Sequence, residues 1–278
     1  MKVAYLILAH ARPAMLKELV AAINKPQEMI FVHIDQKAEM RPFEELLSGQ
    51  CTFIKQRERI SWGTFSIVRA TLNLIQAALS GGGQFDYYCL LSGCDYPVKS
   101  IPAFEACLAA HSGNEYIRCR DMAGLPPKFK KRYTGLFLFE NKKLNFGITK
   151  IQRLFYKRKP YQNKPLFYGS QWWTLTGECI KYIMGFIATH PDYLRYFKYT
   201  HIPDEMFFQT IIAHSPFSDK VQNDNLRCIE FEGKTPHPKV WRMADKETLI
   251  QSPAYFARKF DLSIDSGIVE FLKRRNNE

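Results

Sequence analysis

The residues best suited to chemistry in this chain are a few carboxylates, a paired-tryptophan segment and a group of cations near the C-terminus. Asp35 closes Phe31-Val32-His33-Ile34-Asp35-Gln36-Lys37-Ala38, and Asp95 stands in Ser92-Gly93-Cys94-Asp95-Tyr96-Pro97. Either could accept hydrogen bonds from a ribose or a base, and an Asp that only turns the chain after a strand is the competing reading. Pro97 restricts Tyr96 to extended or turn geometry, so Asp95 is expected in a fixed loop. A diphosphate held through Mg²⁺ or Mn²⁺ commonly uses one or two carboxylates, and a lone Asp leaves room for protein cations in place of the ion. The candidates are Lys239 in His237-Pro238-Lys239, Arg242, and Arg258-Lys259, which Phe256-Ala257 and Phe260 bracket. A solvated basic face is the plain alternative. Cations that emerge from an apolar segment are partly desolvated and bind phosphate more strongly.

Two further segments carry chemistry. In Tyr168-Gly169-Ser170-Gln171-Trp172-Trp173, bulky aromatics follow small turn formers. Paired tryptophans offer flat faces to sugar rings while Ser170 and Gln171 offer hydrogen bonds to hydroxyls; two large core residues at the head of a strand would look the same. His201-Ile202-Pro203-Asp204-Glu205-Met206-Phe207-Phe208-Gln209 reads as a helix start, with Pro in the first turn and acids that complement the dipole. Simple helix stabilisation explains Glu205, and so does a general base aimed at a hydroxyl.

The elements that must position these groups alternate. Val3 to Ala9 is an apolar run of strand length, followed by Met15, Leu16, Leu19, Val20 and Ile23 at helical spacing. Met29 to Ile34 and Cys51 to Ile54 read as strands, with a short helix over Pro42 to Leu47 between them. Ser61 is expected to cap a helix whose apolar face runs through Ile67, Ala70, Leu74, Ile75 and Ala78, which Gly81-Gly82-Gly83 ends before a strand at Tyr87 to Leu91. This alternation predicts an α/β fold with a mainly parallel sheet and ligands at the carboxyl ends of its strands, where Asp35 and Asp95 fall. Neither GxGxxG nor GxxxxGK[ST] occurs, which argues against dinucleotide and P-loop sites. From Lys128 to Pro165 the chain is dense in Lys and Arg with aromatics between them, and is read as a mobile or substrate-facing insertion within one domain.

The chain has 278 residues, enough for one large α/β domain or two small ones. Its 39 Lys and Arg against 27 Asp and Glu give a net charge of +12, which favours anionic partners. Seven cysteines with no CxxC spacing, several inside apolar runs, predict reduced core thiols and no structural zinc. The apolar run at the N-terminus stops at His10, Arg12 and Pro13, too soon for a signal peptide or membrane span.

Together these segments resemble the core-2/I-branching β-1,6-N-acetylglucosaminyltransferase and peptide O-xylosyltransferase family, the "Branch" glycosyltransferases. The matching pieces are Ala4 to His10, Phe31 to Ala38, Ser61-Trp62-Gly63, Leu91 to Pro97, Gly169 to Trp173, Pro203-Asp204-Glu205, and His237-Pro238 through Phe256 to Phe260, in family order. The resemblance implies a GT-A-type fold over 1–278 with a basic insertion around 120–165. It also implies inverting transfer of a sugar, GlcNAc or xylose, from a UDP-sugar without obligatory metal or other cofactor. By position, Glu205 matches the catalytic base. Lys259 and Lys239 match the residues on the donor diphosphate, with Arg258 beside them, and Asp35 and Trp62 fall where the family meets the nucleotide. Gln171 and Trp172 lie where relatives approach a sugar; some relatives have Asp at the position of Gln171. Lys130 and Arg132, in Lys130-Lys131-Arg132-Tyr133, are similar to a basic stretch near the acceptor, and Asp95 is expected to face the donor or support its loop.

Animal relatives carry a membrane anchor, a stem and disulfides. None is visible here, so the expectation is a bacterial enzyme, cytoplasmic or peripheral on an anionic inner membrane, acting on capsular, exopolysaccharide or lipid-linked glycan. A basic protein that binds acidic polysaccharide or nucleic acid without catalysis is the alternative, though no helix-turn-helix, zinc-finger or RNP-type signature supports a nucleic-acid partner. A nucleotidyltransferase would need its own metal carboxylates and a nucleotide-cradling glycine loop, which the sequence lacks.

Overall fold

The computed structural model describes residues 1–138, 142–233 and 237–277. Strand β1 (Val3–Ala9) is wholly buried and pairs in parallel with β2 (Ile30–Ile34) on one side and β4 (Tyr87–Ser92) on the other. β3 (Thr52–Phe53) extends the sheet beyond β2, while β9 (Trp173–Thr176) pairs antiparallel with β4 and β6 (Tyr116–Ile117) closes the far side, giving the order β3-β2-β1-β4-β9-β6. The central strands read as unbroken apolar runs because both faces are covered. Ala4, Leu6 and Leu8 pack toward α3 (Ser66–Ser80), α7 (Gly177–Thr189) and α9 (Phe207–Ala213). Val3, Tyr5, Ile7 and Ala9 point the other way, into α1 (Pro13–Ile23), α2 (Arg41–Leu47) and α4 (Ile101–Ala110). The fold is therefore mixed α/β around a mostly parallel sheet with helices on both faces, as the alternation predicts.

A second sheet, ordered β10-β11-β5, sits at the carboxyl end of the first. β5 (Asp95–Pro97) pairs antiparallel with β11 (Phe256–Arg258), which runs parallel to β10 (Arg227–Ile229). Tyr96, Trp241 and Phe260 make its core together with Leu249 of α10 (Lys246–Gln251) and Ile268, Val269 and Leu272 of α11 (Gly267–Asn277). Asp95 thus lies on a strand, where a loop was expected, because the residues around Pro97 pair with β11.

The basic segment forms α5 (Pro127–Thr134) and α6 (Lys142–Phe155). Its ends are drawn together by β7 (Arg120–Asp121) and β8 (Phe167–Tyr168), paired antiparallel with Asp121 opposite Phe167. Arg158 anchors it. This buried guanidinium donates to the carbonyls of Gly135 at 3.2 Å, Tyr199 at 2.9 Å and Tyr196 at 2.7 Å, and lies 4.2 Å over the Tyr196 ring beside α8 (Pro191–Lys198).

Local expectations shift at three places. The third strand contracts to Thr52–Phe53, and Met29 belongs to a 3-10 turn over Gln27–Met29. Ser61 does not cap α3, which begins at Ser66: Gly63, at φ 77°, turns the chain between them, and the Ser61 amide donates instead to Ser66 Oγ at 2.9 Å. All seven cysteines are free thiols. Among the described residues no helix is long and apolar enough to cross a membrane.

Candidate active site

Glu205 closes the 3-10 turn Pro203–Glu205 that leads into α9. Ile202 before it holds left-handed backbone at φ 51°, a costly geometry for a β-branched residue, kept in place because its amide donates to the Gly63 carbonyl at 2.9 Å. Gly63 itself backs onto His201, whose ring a Cβ at 63 would approach to 3.1 Å. The sequence Trp62-Gly63 is thereby locked to the turn that carries Glu205.

The Glu205 carboxylate ion-pairs with the Arg132 guanidinium of α5. Arg132 stacks over Phe129 at 5.2 Å and Tyr168 at 4.8 Å, so its donors are aimed by aromatic faces. Burial, with the negative charge of Glu205, pushes the Tyr168 phenol up to about 12. Behind Glu205, burial and the same charge push the Asp204 carboxyl up to about 7. Arg132 and Tyr168 line a cleft of about 920 Å³ with Trp62, Phe137, Lys198 and His201 among its other walls. Trp62 is 58% exposed and meets the edge of His201 at 5.9 Å; His201 in turn stacks on Phe137 at 4.5 Å. The site therefore offers one carboxylate beside a roomy, aromatic and cationic pocket. Lys130, named with Arg132 from the sequence, is not among the residues lining that cleft.

A second group gathers where β1, β2 and β11 end. Arg258 lies 4.4 Å over the Trp172 ring, with its Nε 3.8 Å from Asp95 Oδ1. Asp95 is 0% exposed. Its Oδ2 accepts from the Ser92 amide at 3.0 Å, its Oδ1 has no hydrogen bond, and burial drives its carboxyl above the usual range against the pull of Arg258. Asp95 is thus a support for Arg258, and the expectation that it faces the donor gives way because no part of it reaches the surface. Asp35 accepts from the Lys37 amide at 2.9 Å and the Ile60 amide at 3.4 Å, which ties β2 to the Trp62 loop.

Of the expected phosphate cations, Arg258 is held between Asp95 and the Trp172 ring, its Nε without a hydrogen bond. Lys259 makes no side-chain ion pair among the described residues, whereas Lys239 turns its ammonium to Asp245 at 2.7 Å and to Glu230 and Glu232 at 3.8 Å. Lys239 is brought beside Lys259 through its backbone, the Lys259 amide donating to its carbonyl at 3.2 Å. Both tryptophans are buried in one core cluster, Trp173 fully and Trp172 with Arg258 over its ring. Gln171 keeps its buried Nε2 without a hydrogen bond.

Sequence reasoning missed His10 and Arg12. Burial and the cations Arg12, Arg258 and Lys37 hold His10 below its ordinary value against the attraction of Asp35, which places it within this cationic group. Arg12 pairs with Asp261 at 2.6 Å. The available signal was their position directly after β1, at the ligand-binding end of a parallel sheet.

The two groups are joined by the segment from Tyr168 to Trp172. The Gly169 amide donates to the Glu205 carbonyl at 2.8 Å, and a Cβ at 169 would lie 1.6 Å from the Arg118 carbonyl, so only glycine fits. Gln209 Nε2 donates to the Ser170 carbonyl at 2.7 Å and Asn225 Nδ2 to its hydroxyl at 2.9 Å. Among the described residues no group of three or more His, Cys, Asp or Glu is placed to share a metal ion.

The chain belongs to the Core-2/I-branching enzyme family, whose profile matches residues 3–250. It is 24% identical to a probable β-1,3-galactosyl-O-glycosyl-glycoprotein β-1,6-N-acetylglucosaminyltransferase 7 of Homo sapiens, over 98% of this chain and 67% of that protein. It is 23% identical to xylosyltransferase 2 of Canis lupus familiaris, over 98% of this chain and 33% of that protein. The chain thus spans about a third of the length of that xylosyltransferase. A solved cytidylyltransferase from Leptospira borgpetersenii aligns with a TM-score of 0.34 and 11% identity, over 71% of this chain and 74% of that one.

Proposed function

We propose that this chain is an inverting glycosyltransferase that moves GlcNAc or xylose from a UDP-sugar to a hydroxyl of a glycan or lipid-linked glycan, without obligatory metal. The observation that carries this reading is the Glu205 carboxylate, held by Arg132, which lines a cleft of about 920 Å³, and joined by five residues of chain to the cations at Arg258. In the reaction the acceptor oxygen attacks the anomeric carbon from the face opposite the diphosphate. Its proton passes to Glu205, the bond from that carbon to the β-phosphate oxygen breaks, and UDP leaves with the electron pair. UDP is a stable anion, so it needs charge stabilisation more than a proton. Arg258 and Lys259 supply it, with Lys239 beside them.

Asp35 and Trp62 meet the nucleotide side of the donor, while Trp172, Gln171 and Arg132 border the sugars. Location at the cytoplasmic face of a membrane and a role in capsule or exopolysaccharide synthesis complete the reading, supported by the basic surface. A panel of UDP-sugars assayed for hydrolysis and transfer with and without EDTA tests it. Transfer that survives EDTA is expected; strict loss in EDTA overturns the metal-free mechanism, and no turnover of any UDP-sugar overturns the donor.

A further inference from the structure

The outer face of α6 is apolar and open to solvent. Ile151 is 61% exposed, Leu154 79% and Phe155 86%, and they stand at i, i+3 and i+4, one stripe of one helix. Tyr156 prolongs the stripe beyond the helix end. The helix is oriented by its opposite side: Thr149 Oγ1 donates to the Leu136 carbonyl at 3.3 Å and Gln152 Oε1 accepts from the Leu136 amide at 3.1 Å. Arg158 then pins the following turn to the body. The stripe is held outward by these bonds.

Its surroundings are cationic. Residues 128–164 contain twelve Lys and Arg and a single carboxylate, Glu140. Lys150, Lys157, Lys159 and Lys164 are exposed. None of the four forms an ion pair among the described residues.

We propose that this face docks on an anionic lipid surface, with Ile151, Leu154 and Phe155 entering the headgroup boundary and the lysines meeting lipid phosphates. A helix with large apolar residues on one face and lysines around them is the pattern of an interfacial helix. Charge decides between the occupants. A second copy packed on the same face would set these lysines against their own equivalents, whereas an anionic leaflet neutralises them. Thr149 and Lys150 also line the cleft, so the docked helix is a wall of the pocket beside Glu205. The cleft then opens at the lipid surface, and a lipid-linked acceptor reaches it without leaving the membrane. That last consequence rests on the transfer reading; the docking does not.

Co-sedimentation of the full chain with phosphatidylcholine vesicles, with and without phosphatidylglycerol, tests the docking with no sugar donor present, so it fails or stands apart from the catalytic reading. Binding to the anionic vesicles alone is expected, weakening as salt rises. Leu154→Ser with Phe155→Ser is expected to lower vesicle affinity about tenfold or more while UDP affinity and the thermal midpoint hold. Lys157→Glu with Lys159→Glu is the second variant, expected to lose binding to anionic vesicles in the same way. Equal binding to neutral vesicles, no binding by the wild-type chain, or unchanged binding by both variants overturns the proposal. So does a wild-type dimer that the Leu154 and Phe155 variant splits into monomers without any vesicle binding.

Discussion

Arg132 and Glu205, 73 residues apart in sequence, form an ion pair that joins the basic insertion to the helix start behind the central sheet. Because Arg132 is itself stacked on Phe129 and Tyr168, the carboxylate is aimed by a guanidinium that has little freedom. Arg132 is a positioning residue in this reading and Glu205 the base.

Glu205→Gln keeps the shape of the side chain and removes the proton acceptor. Turnover is expected to fall by about 10²- to 10⁴-fold, the usual worth of general-base catalysis, with UDP affinity by calorimetry unchanged. An active variant would move the role of base to another carboxylate.

Asp204 gives a pH signature. Burial, then the Glu205 charge, raises its folded pKa to about 7, above its unfolded value near 3.9. Between those values the folded state binds more protons than the unfolded chain, so stability falls as pH rises from about 4 to about 7 and levels off above. Asp204→Asn is expected to flatten that window and to raise stability at pH 8 by up to a few kcal/mol, read from urea midpoints. A variant that is less stable at every pH would show that the carboxylate is held by contacts stronger than its desolvation.

Arg258→Ala should destabilise as well as weaken donor binding. It removes one of the two cations, Arg258 and Arg227, that act on the buried Asp95 carboxyl, and removes the contact with Trp172, a loss of about 1–3 kcal/mol. In an Asp95→Asn background the same change is expected to cost far less. Equal costs in both backgrounds, measured by chemical denaturation, would show that the 3.8 Å approach carries no coupling.

The two lysines behave differently. Lys259→Ala is expected to weaken UDP binding about tenfold, the scale of one charge-assisted hydrogen bond to phosphate. Lys239→Ala is expected to have a smaller effect, since its ammonium already meets Asp245 at 2.7 Å. Isothermal titration with UDP separates them, and the reverse ranking would require Lys239 to leave Asp245 when the diphosphate arrives.

Arg158→Ala strips three backbone carbonyls of one donor and should unfasten α5 and α6 from the body, at a cost of about 2–4 kcal/mol. Lys at this position offers no planar fork and is expected to restore little. Faster proteolysis within 135–160 at an unchanged rate elsewhere is the readout, and uniform proteolysis would make Arg158 part of a single cooperative unit.

Much of the scaffold was legible because its determinants are local. Val3 to Ala9 and Tyr87 to Ser92 are uninterrupted apolar runs, and only a strand buried on both faces explains them at that length. The turn at Pro203 announced the helix start that carries Glu205. What stayed hidden depends on partners far along the chain. Nothing near Arg132 marks it as the neighbour of Glu205, and nothing near Arg158 separates a buried anchor from the exposed lysines around it. Asp95 looked like a loop residue because β5 exists only through pairing with β11, some 160 residues later. The pairing of Lys239 with Asp245 was not legible because Asp245 reads from the sequence as a helix-start acid.

The segment from Tyr168 to Trp172 sets a ruler on the chemistry. Its Cα atoms can lie at most about 14 Å apart from end to end, four steps at roughly 3.5 Å each. Tyr168 belongs to the wall beside Glu205 and Trp172 lies beneath Arg258, so the short segment limits how far the proposed base and the proposed diphosphate cations can separate. On the proposed transfer, a donor seated at one end would present its anomeric carbon at a fixed height above the other, and acceptors would be sorted by whether their hydroxyl reaches that height.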